Sequence, residues 1–278
     1  MLGARPVTSK PVRWGFDASS RLVTLDTGRR VVVQRRATGP DGGGSARLTS
    51  AMRVLRSAGI TVPTLVAAAI DGAHELLVFE YVDGVPGPDL VGDLRRGPVL
   101  ADSMGRASRT LTAISVEDVP DDHPWSTTTA LRERCRDWLE MLGDDAPRPE
   151  TEQALQAITG DAWEVAVSHG DFVPANVLVA HDDSITLLDL GDVALRHSLV
   201  DLAWWLLVVR HHHPDLVARV GPRLLRASGS DPAARGVGAL PGIALLRALQ
   251  LAAHHPPGPR REHQLRLARA AVAWAADP

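Results

Sequence analysis

Apolar and polar positions change period twice along this chain. Between residues 12 and 36 they alternate in short runs. Segments 12–16, 22–25 and 31–34 are rich in Val and Leu, separated by Asp17-Ala18-Ser19-Ser20 and Asp26-Thr27-Gly28. Such runs predict strands, and Asp-Thr-Gly between β-branched residues is a hairpin signal. After the glycine-rich connection 39–45, Leu48, Met52 and Leu55 recur at helical spacing, and Gly59 closes a helix over 46–58. Two more strands are expected at 65–70 and 75–79. From Leu90 the period becomes helical, with segments at 99–114, 129–142 and 150–158. The apolar runs 165–167, 177–179 and 185–188 restore strand character. The last two flank His181-Asp182-Asp183 and form a hairpin. Segment 199–209 is apolar on nearly every face, so Trp204 and Trp205 are assigned to the core. Closing helices are expected at 241–253, with Pro241 at a helix start, and at 262–275. The histidine tracts before Pro214 and Pro256 read as helix ends rather than metal sites.

Composition narrows the class. Hydrophobic residues make up 45% of 278, which excludes global disorder. The single cysteine, Cys135, rules out an intrachain disulfide, and its helical surroundings mark it as a buried residue rather than a nucleophile. Residues 1–14 lack the apolar region of a signal peptide, and no run of eighteen uncharged apolar residues occurs. The expected location is the cytoplasm, with no membrane partner. A net charge of −3 argues against a nucleic-acid partner. The charge is unevenly spread. Residues 1–83 carry eleven basic and seven acidic groups (+4), which leaves −7 for residues 84–278. A basic front and an acidic back suit an anionic nucleotide and a cationic second substrate. The acidic loop 117–125 either helps bind that cation or is a solvated linker. Lys10 is the only lysine among the 30 basic residues.

The densest chemistry lies in Ser168-His169-Gly170-Asp171-Phe172-Val173-Pro174-Ala175-Asn176, followed by the hairpin and then Asp189-Leu190-Gly191-Asp192. A hairpin returns the chain to its starting point, so the loop before it and the residue after it meet. That gathers two carboxylates and an amide oxygen. Asn176 and Asp189 offer hard oxygen ligands of the kind Mg²⁺ takes beside substrate phosphates. Asp171 is left to receive or orient a hydroxyl proton. This is the inventory of phosphoryl transfer, in which positioning and charge neutralisation do most of the work.

The pattern His-x-Asp-x4-Asn, then an apolar strand ending in Asp, resembles the aminoglycoside phosphotransferase family, relatives of choline kinases and protein kinases. The resemblance implies an α+β, two-lobed protein-kinase-like fold, with a small antiparallel-sheet lobe and a larger, mainly helical lobe. The nucleotide-binding lobe and hinge would span 1–83, and the helical lobe with the catalytic loop and substrate site 84–278. By the same resemblance Asp171 is the catalytic aspartate and His169 braces its loop. Asn176 and Asp189 hold Mg²⁺, Asp201 is structural, and Asp192 reaches a second metal or the substrate. Val32 lines the adenine, which the Glu80 carbonyl and Val82 amide hydrogen-bond at the hinge. Ser19 and Ser20 lie in the turn that covers the phosphates, where they read better as solvated residues.

One departure stands out. The third strand should end in a phosphate-gripping lysine, and that position holds Gln34. The next helix should supply its glutamate partner, yet no acidic residue occurs between Asp41 and Asp71. Both halves of the ion pair are therefore expected to be missing. Val32, Gln34 and Arg36 share one strand face, so Gln34 is placed at the phosphates and Arg36 supplies the charge. A register shift would put Arg35 there instead.

The resulting expectation is an ATP- or GTP-dependent, Mg²⁺-requiring kinase of a small-molecule hydroxyl, acting as a monomer or weak dimer. Its acceptor would be a cationic antibiotic, either an aminoglycoside or a cyclic peptide of the capreomycin and viomycin type. The alternatives are a kinase for choline, a sugar or homoserine, and a nucleotide-binding pseudokinase scaffold. The missing ion pair favours the scaffold, whereas intact Asp171, Asn176 and Asp189 oppose it.

Overall fold

The computed structural model describes residues 3–12, 20–37, 44–119, 123, 125–159, 163–230 and 238–276. They form two compact units. One comprises 1–91 with 174–191, and the other 92–173 with 192–278.

The first unit is built on a five-stranded antiparallel sheet in the order β1-β2-β3-β5-β4. Its strands are β1 (Pro6–Pro11), β2 (Ser20–Leu25), β3 (Arg30–Ala37), β4 (Leu65–Asp71) and β5 (His74–Glu80). The period-two pattern holds in β2, where Val23 and Leu25 are buried and pack with Val31. Gly28, at φ +79°, makes the turn into β3. Helix α1 (Gly44–Ser57) buries Leu48, Met52 and Leu55. It ends where Ile60 N donates to Leu55 O and Gly59 adopts φ +82°. The strand expected at 12–16 lies outside the described residues apart from Val12. The observed first strand is β1, six residues upstream of the predicted start, and every position in it is exposed. It lacks an apolar alternation from which to be read.

The hairpin β8 (Val177–Val179) and β9 (Ile185–Leu187) belongs to this first unit. It completes a three-stranded sheet with β6 (Val85–Pro86), next to the short helix α2 (Pro88–Val91). Leu187 N donates to Thr61 O, and Gly87 N to Val177 O. These bonds explain why the hairpin groups with the N-terminal residues, whereas a division at 83/84 places it in the second lobe.

The second unit pairs β7 (Val165–Ser168) antiparallel with β10 (Ala194–His197) among seven helices named in the described residues. Helices α3 (Arg96–Thr112), α4 (Thr128–Leu142) and α5 (Arg148–Thr159) precede β7, and α6 (Val200–His212), α7 (Pro214–Ser228), α8 (Leu240–His254) and α9 (Pro259–Ala276) follow β10. Thr127 caps α4 by accepting from Ala130 N at 3.1 Å. Nine of the thirteen α6 residues are buried, as its all-round apolarity predicts. Helix α7 was not read from the sequence. Its apolar positions are diluted by arginines and by Pro222, yet it packs against α3. Gly105 of α3 allows that approach, since a Cβ there would lie 2.4 Å from Leu224 O. Cys135 is buried on α4, and burial pushes its thiol up to about 12, so it is inert as a nucleophile. No helix among the described residues is long and apolar enough to cross a membrane.

Candidate active site

The loop 168–173, expected to be catalytic, leaves the end of β7 in the second unit. Its anchor is Asp201 in the first turn of α6, 3% exposed. The Asp201 carboxylate accepts hydrogen bonds from Ser168 Oγ (2.7 Å), His169 N (2.8 Å) and Gly170 N (3.1 Å). One buried charge thus ties down three consecutive residues, each bond strengthened by the ionised acceptor. Gly170 has φ +88°, and a Cβ there would lie 2.5 Å from Asp192 O and 2.7 Å from Arg196 Nη1. Only glycine fits. His169 is fully buried, and its Nδ1 accepts the Asp171 N–H at 3.3 Å. His169, expected to brace the loop, thus contacts the backbone of Asp171. Val173 N donates to Asp171 O at 3.0 Å, and the Trp204 indole N–H donates to Asp171 Oδ1 at 2.9 Å.

Beneath this loop lie two buried arginines that sequence reading missed. Arg196 (0% exposed) and Arg247 (2%) flank Asp192, with N···O separations of 3.3 and 2.6 Å. Arg247 Nη2 also donates to Gly170 O at 2.6 Å, and its Nη1 donates to Gln250 Oε1 at 2.8 Å. Gln250 Oε1 accepts in turn from Trp125 Nε1. Burial would raise the Asp192 carboxyl. Its two guanidiniums, Arg247 first, outweigh that and hold it well below the usual carboxylate range. Asp192, expected at a second metal or the substrate, is thus paired with both guanidiniums. It is the counter-ion of a structural pair, although half of its side chain stays exposed. The available signal was a lone arginine in the otherwise apolar run of α8.

The first unit carries the remaining residues. Leu188 N donates to Asn176 O at 2.9 Å, extending the register in which Val177 faces Leu187. Asn176 and the Leu188-Asp189 exit of the hairpin are thereby side by side. Asp189 has φ +53°, one of two non-glycine residues with positive φ among the described residues. Backbone strain of this kind gathers at functional positions.

On β3, Val32, Gln34 and Arg36 are all half-buried. Arg36 Nε donates to Glu75 Oε2 at 2.7 Å, and its Nη2 lies at the same distance. Glu75 is 5% exposed. Burial would raise its carboxyl, but hydrogen bonds from Ser45 at the start of α1, together with Arg36, hold it below the usual glutamate value. Arg36 thus has an acidic partner that the sequence reading did not assign to it. The acid comes from β5, directly opposite Arg36 in the β3–β5 register, and not from the helix. Arg36 Nη1 lies 3.6 Å, and Asp189 Oδ1 4.0 Å, from where a Cβ on Gly191 would sit. The cation and the expected metal ligand thus border the same residue. Arg35, the alternative for that position, is exposed and contacts half-buried His74. At the end of β5, the Glu80 side chain pairs with Arg29 at 2.6 Å, and the Arg30 guanidinium stacks 3.9 Å over Tyr81. This leaves the expected roles of Glu80 and Val82 to their backbone groups. Ser19 lies outside the described residues, and Ser20 opens β2.

The Asn176 amide and Asp189 carboxylate are a donor set of the right hardness for Mg²⁺ that keeps phosphate and water as its other ligands. Among the described residues no group of three or more His, Cys, Asp or Glu could hold a metal, the histidine tracts included.

Comparison with known proteins gives the same picture. A family model described as the APH phosphotransferase enzyme family matches residues 8–241. No curated protein matches the chain. Among solved structures, an aminoglycoside-3'-phosphotransferase of type VIII is 24% identical, with a TM-score of 0.60 over 90% of this chain and 94% of its own. The GDP and kanamycin complex of APH(2")-IIia is 13% identical, with a TM-score of 0.67 over 98% and 93%. Amicoumacin kinase with AMP-PNP and Ca²⁺ is 16% identical, with a TM-score of 0.63 over 96% and 88%. The family match spans most of the sequence, and the kinase-like fold agrees with it: the chain belongs to the phosphotransferase enzyme family.

Proposed function

We propose that the chain transfers the γ-phosphate of ATP or GTP to a hydroxyl of a cationic antibiotic, in the cytoplasm, and so confers resistance. The observation that carries this reading is the preformed loop 168–171, whose backbone is held by one buried carboxylate and whose Asp171 side chain is already oriented. Such preorganisation is what phosphoryl transfer demands of a protein.

In the proposed reaction the acceptor oxygen attacks the γ-phosphorus. The bond to the β–γ bridging oxygen breaks, and its electron pair leaves with the nucleoside diphosphate. The hydroxyl proton passes to the Asp171 carboxylate. Arg36, steadied by Glu75, holds phosphate oxygens in place of the usual lysine. Asn176 and Asp189 would hold Mg²⁺, which when bound neutralises charge on the β- and γ-phosphates. The Glu80 carbonyl, the Val82 amide and Val32 would receive the base. The donor is left as ATP or GTP because related folds carry GDP in one case and AMP-PNP in another. A cationic acceptor is supported by the −7 charge of residues 84–278. The Arg36–Glu75 pair, a cation held on the sheet by a buried acid, supports the kinase reading over a pseudokinase.

The test is transfer of labelled γ-phosphate from MgATP and MgGTP to kanamycin, capreomycin, choline and homoserine. Labelled antibiotic is expected, with Asp171→Asn lowering turnover by about 10²–10⁴-fold. Labelled choline or homoserine would replace the antibiotic reading with a metabolite kinase. An active Asp171→Asn variant would overturn the mechanism.

A further inference from the structure

We propose that Trp204 is a positioning residue for the Asp171 carboxylate, a role that rests on the reading of Asp171 as the catalytic base. The sequence places Trp204 and Trp205 together in an apolar helix, where both look like core. The structure separates them. The Trp205 N–H is given to Met104 Sδ at 2.9 Å, a weak acceptor deep in the helical core. The Trp204 N–H is given to Asp171 Oδ1, also at 2.9 Å, from a side chain 3% exposed.

Helix geometry explains how this residue reaches Asp171. Asp201 and Trp204 are three positions apart and therefore lie on one face of α6. From that face Asp201 binds Ser168, His169 and Gly170, and Trp204 reaches the next residue, Asp171. One helix face thus grips four consecutive residues, three at the base of the loop and the fourth at its reacting side chain.

The need for such a grip is physical. The terminal torsion of an aspartate is soft and roughly two-fold, so packing alone leaves the carboxylate broadly distributed. The hydrogen bonds to the Asp171 backbone, from Asp171 N to His169 and from Val173 N to Asp171 O, do not act on that torsion. A donor on a rigid, buried indole does. Holding Oδ1 sets the plane of the carboxylate and hence the direction of its second oxygen. The gain belongs to the proton-transfer step and not to nucleotide binding.

Two variants test this in the full-length chain. Trp204→Phe removes the donor and some volume. Benzothienylalanine at position 204, with sulfur in place of the indole N–H, removes the donor and keeps the shape. Both are expected to lower kcat by about ten- to hundred-fold, the range of a hydrogen bond to a charged group. The nucleotide KM should stay within two-fold. The indole ¹H–¹⁵N peak absent from Trp204→Phe identifies Trp204, and in the wild-type protein it should move when Asp171 is replaced by Ala. A peak that does not move overturns the proposal whatever the activity. So does a benzothienylalanine variant with wild-type kcat, or one whose only defect is a raised nucleotide KM. If Asp171→Ala itself keeps turnover, the assignment of Asp171 has failed, a result distinguishable from the failure of Trp204 alone.

Discussion

Replacing Asp201 by alanine removes the shared acceptor of three donors, and its cost can be worked from the geometry. Bonds from Ser168 Oγ, His169 N and Gly170 N converge on a carboxylate that is 3% exposed. Net contributions of about 1.5–3 kcal/mol per hydrogen bond to a charged group would total roughly 5–9 kcal/mol. Two terms reduce that sum. Gly170 N retains Ser168 Oγ at 3.1 Å. The substitution also relieves the desolvation of a buried charge. His169 N is left as the principal orphan, and a loss of about 3–5 kcal/mol is expected. At roughly 2–4 °C per kcal/mol, the melting temperature of the unit containing α6 should fall by about 10 °C. Asp201→Asn keeps one oxygen but turns an amide N–H towards a backbone donor, so it should fall between wild type and alanine. Calorimetry and urea unfolding measure both variants, with kcat measured in parallel. A loss below about 1 kcal/mol for Asp201→Ala, with kcat unchanged, would refute the idea that this carboxylate organises the loop.

Three further outcomes follow. Arg36→Ala should raise the nucleotide KM by about ten- to hundred-fold, Arg36→Lys by less, and Glu75→Gln by a smaller factor because it frees the guanidinium without removing it; initial-rate kinetics showing an unchanged KM in Arg36→Ala would remove Arg36 from the phosphate site. Asp192→Asn should destabilise more than Arg247→Met, because it strands two buried guanidiniums, whereas the half-exposed Asp192 can be rehydrated when Arg247 is lost; equal or reversed losses in urea unfolding would contradict this. Burial, aided for some by neighbouring cations, lowers the pKa of His197, His211, His212, His255 and His263 below the ordinary 6.5. Unfolding raises each back, so the unfolded chain binds protons first, and stability should be full above about pH 6.5 and decline as pH falls through that value; a melting temperature flat between pH 7 and 5 would refute it.

Much of the chemistry was legible because it is local in the chain. Asp171, Asn176 and Asp189 fall within nineteen consecutive residues, and a hairpin of alternating apolar residues needs no distant partner to be recognised. The strands β2 to β5 and helix α1 announce themselves by period and by turn residues at Gly28 and Gly59. What escaped is whatever depends on pairing across long separations. Arg36 and Glu75 are 39 residues apart and meet only through the β3–β5 register. Arg247 reaches Gly170 across 77 residues, and Trp204 reaches Asp171 across 33. A hydropathy pattern counts an arginine in α8 as an interruption and a tryptophan in α6 as core. Their polar atoms acquire a task only when another element delivers an acceptor to them. The sequence by itself therefore determined the class of protein and the loop and hairpin around the proposed reacting segment, since those rest on spacing along the backbone. Only the tertiary structure decided which groups hold that segment still, because a buried hydrogen bond is specified by where two distant side chains come to lie.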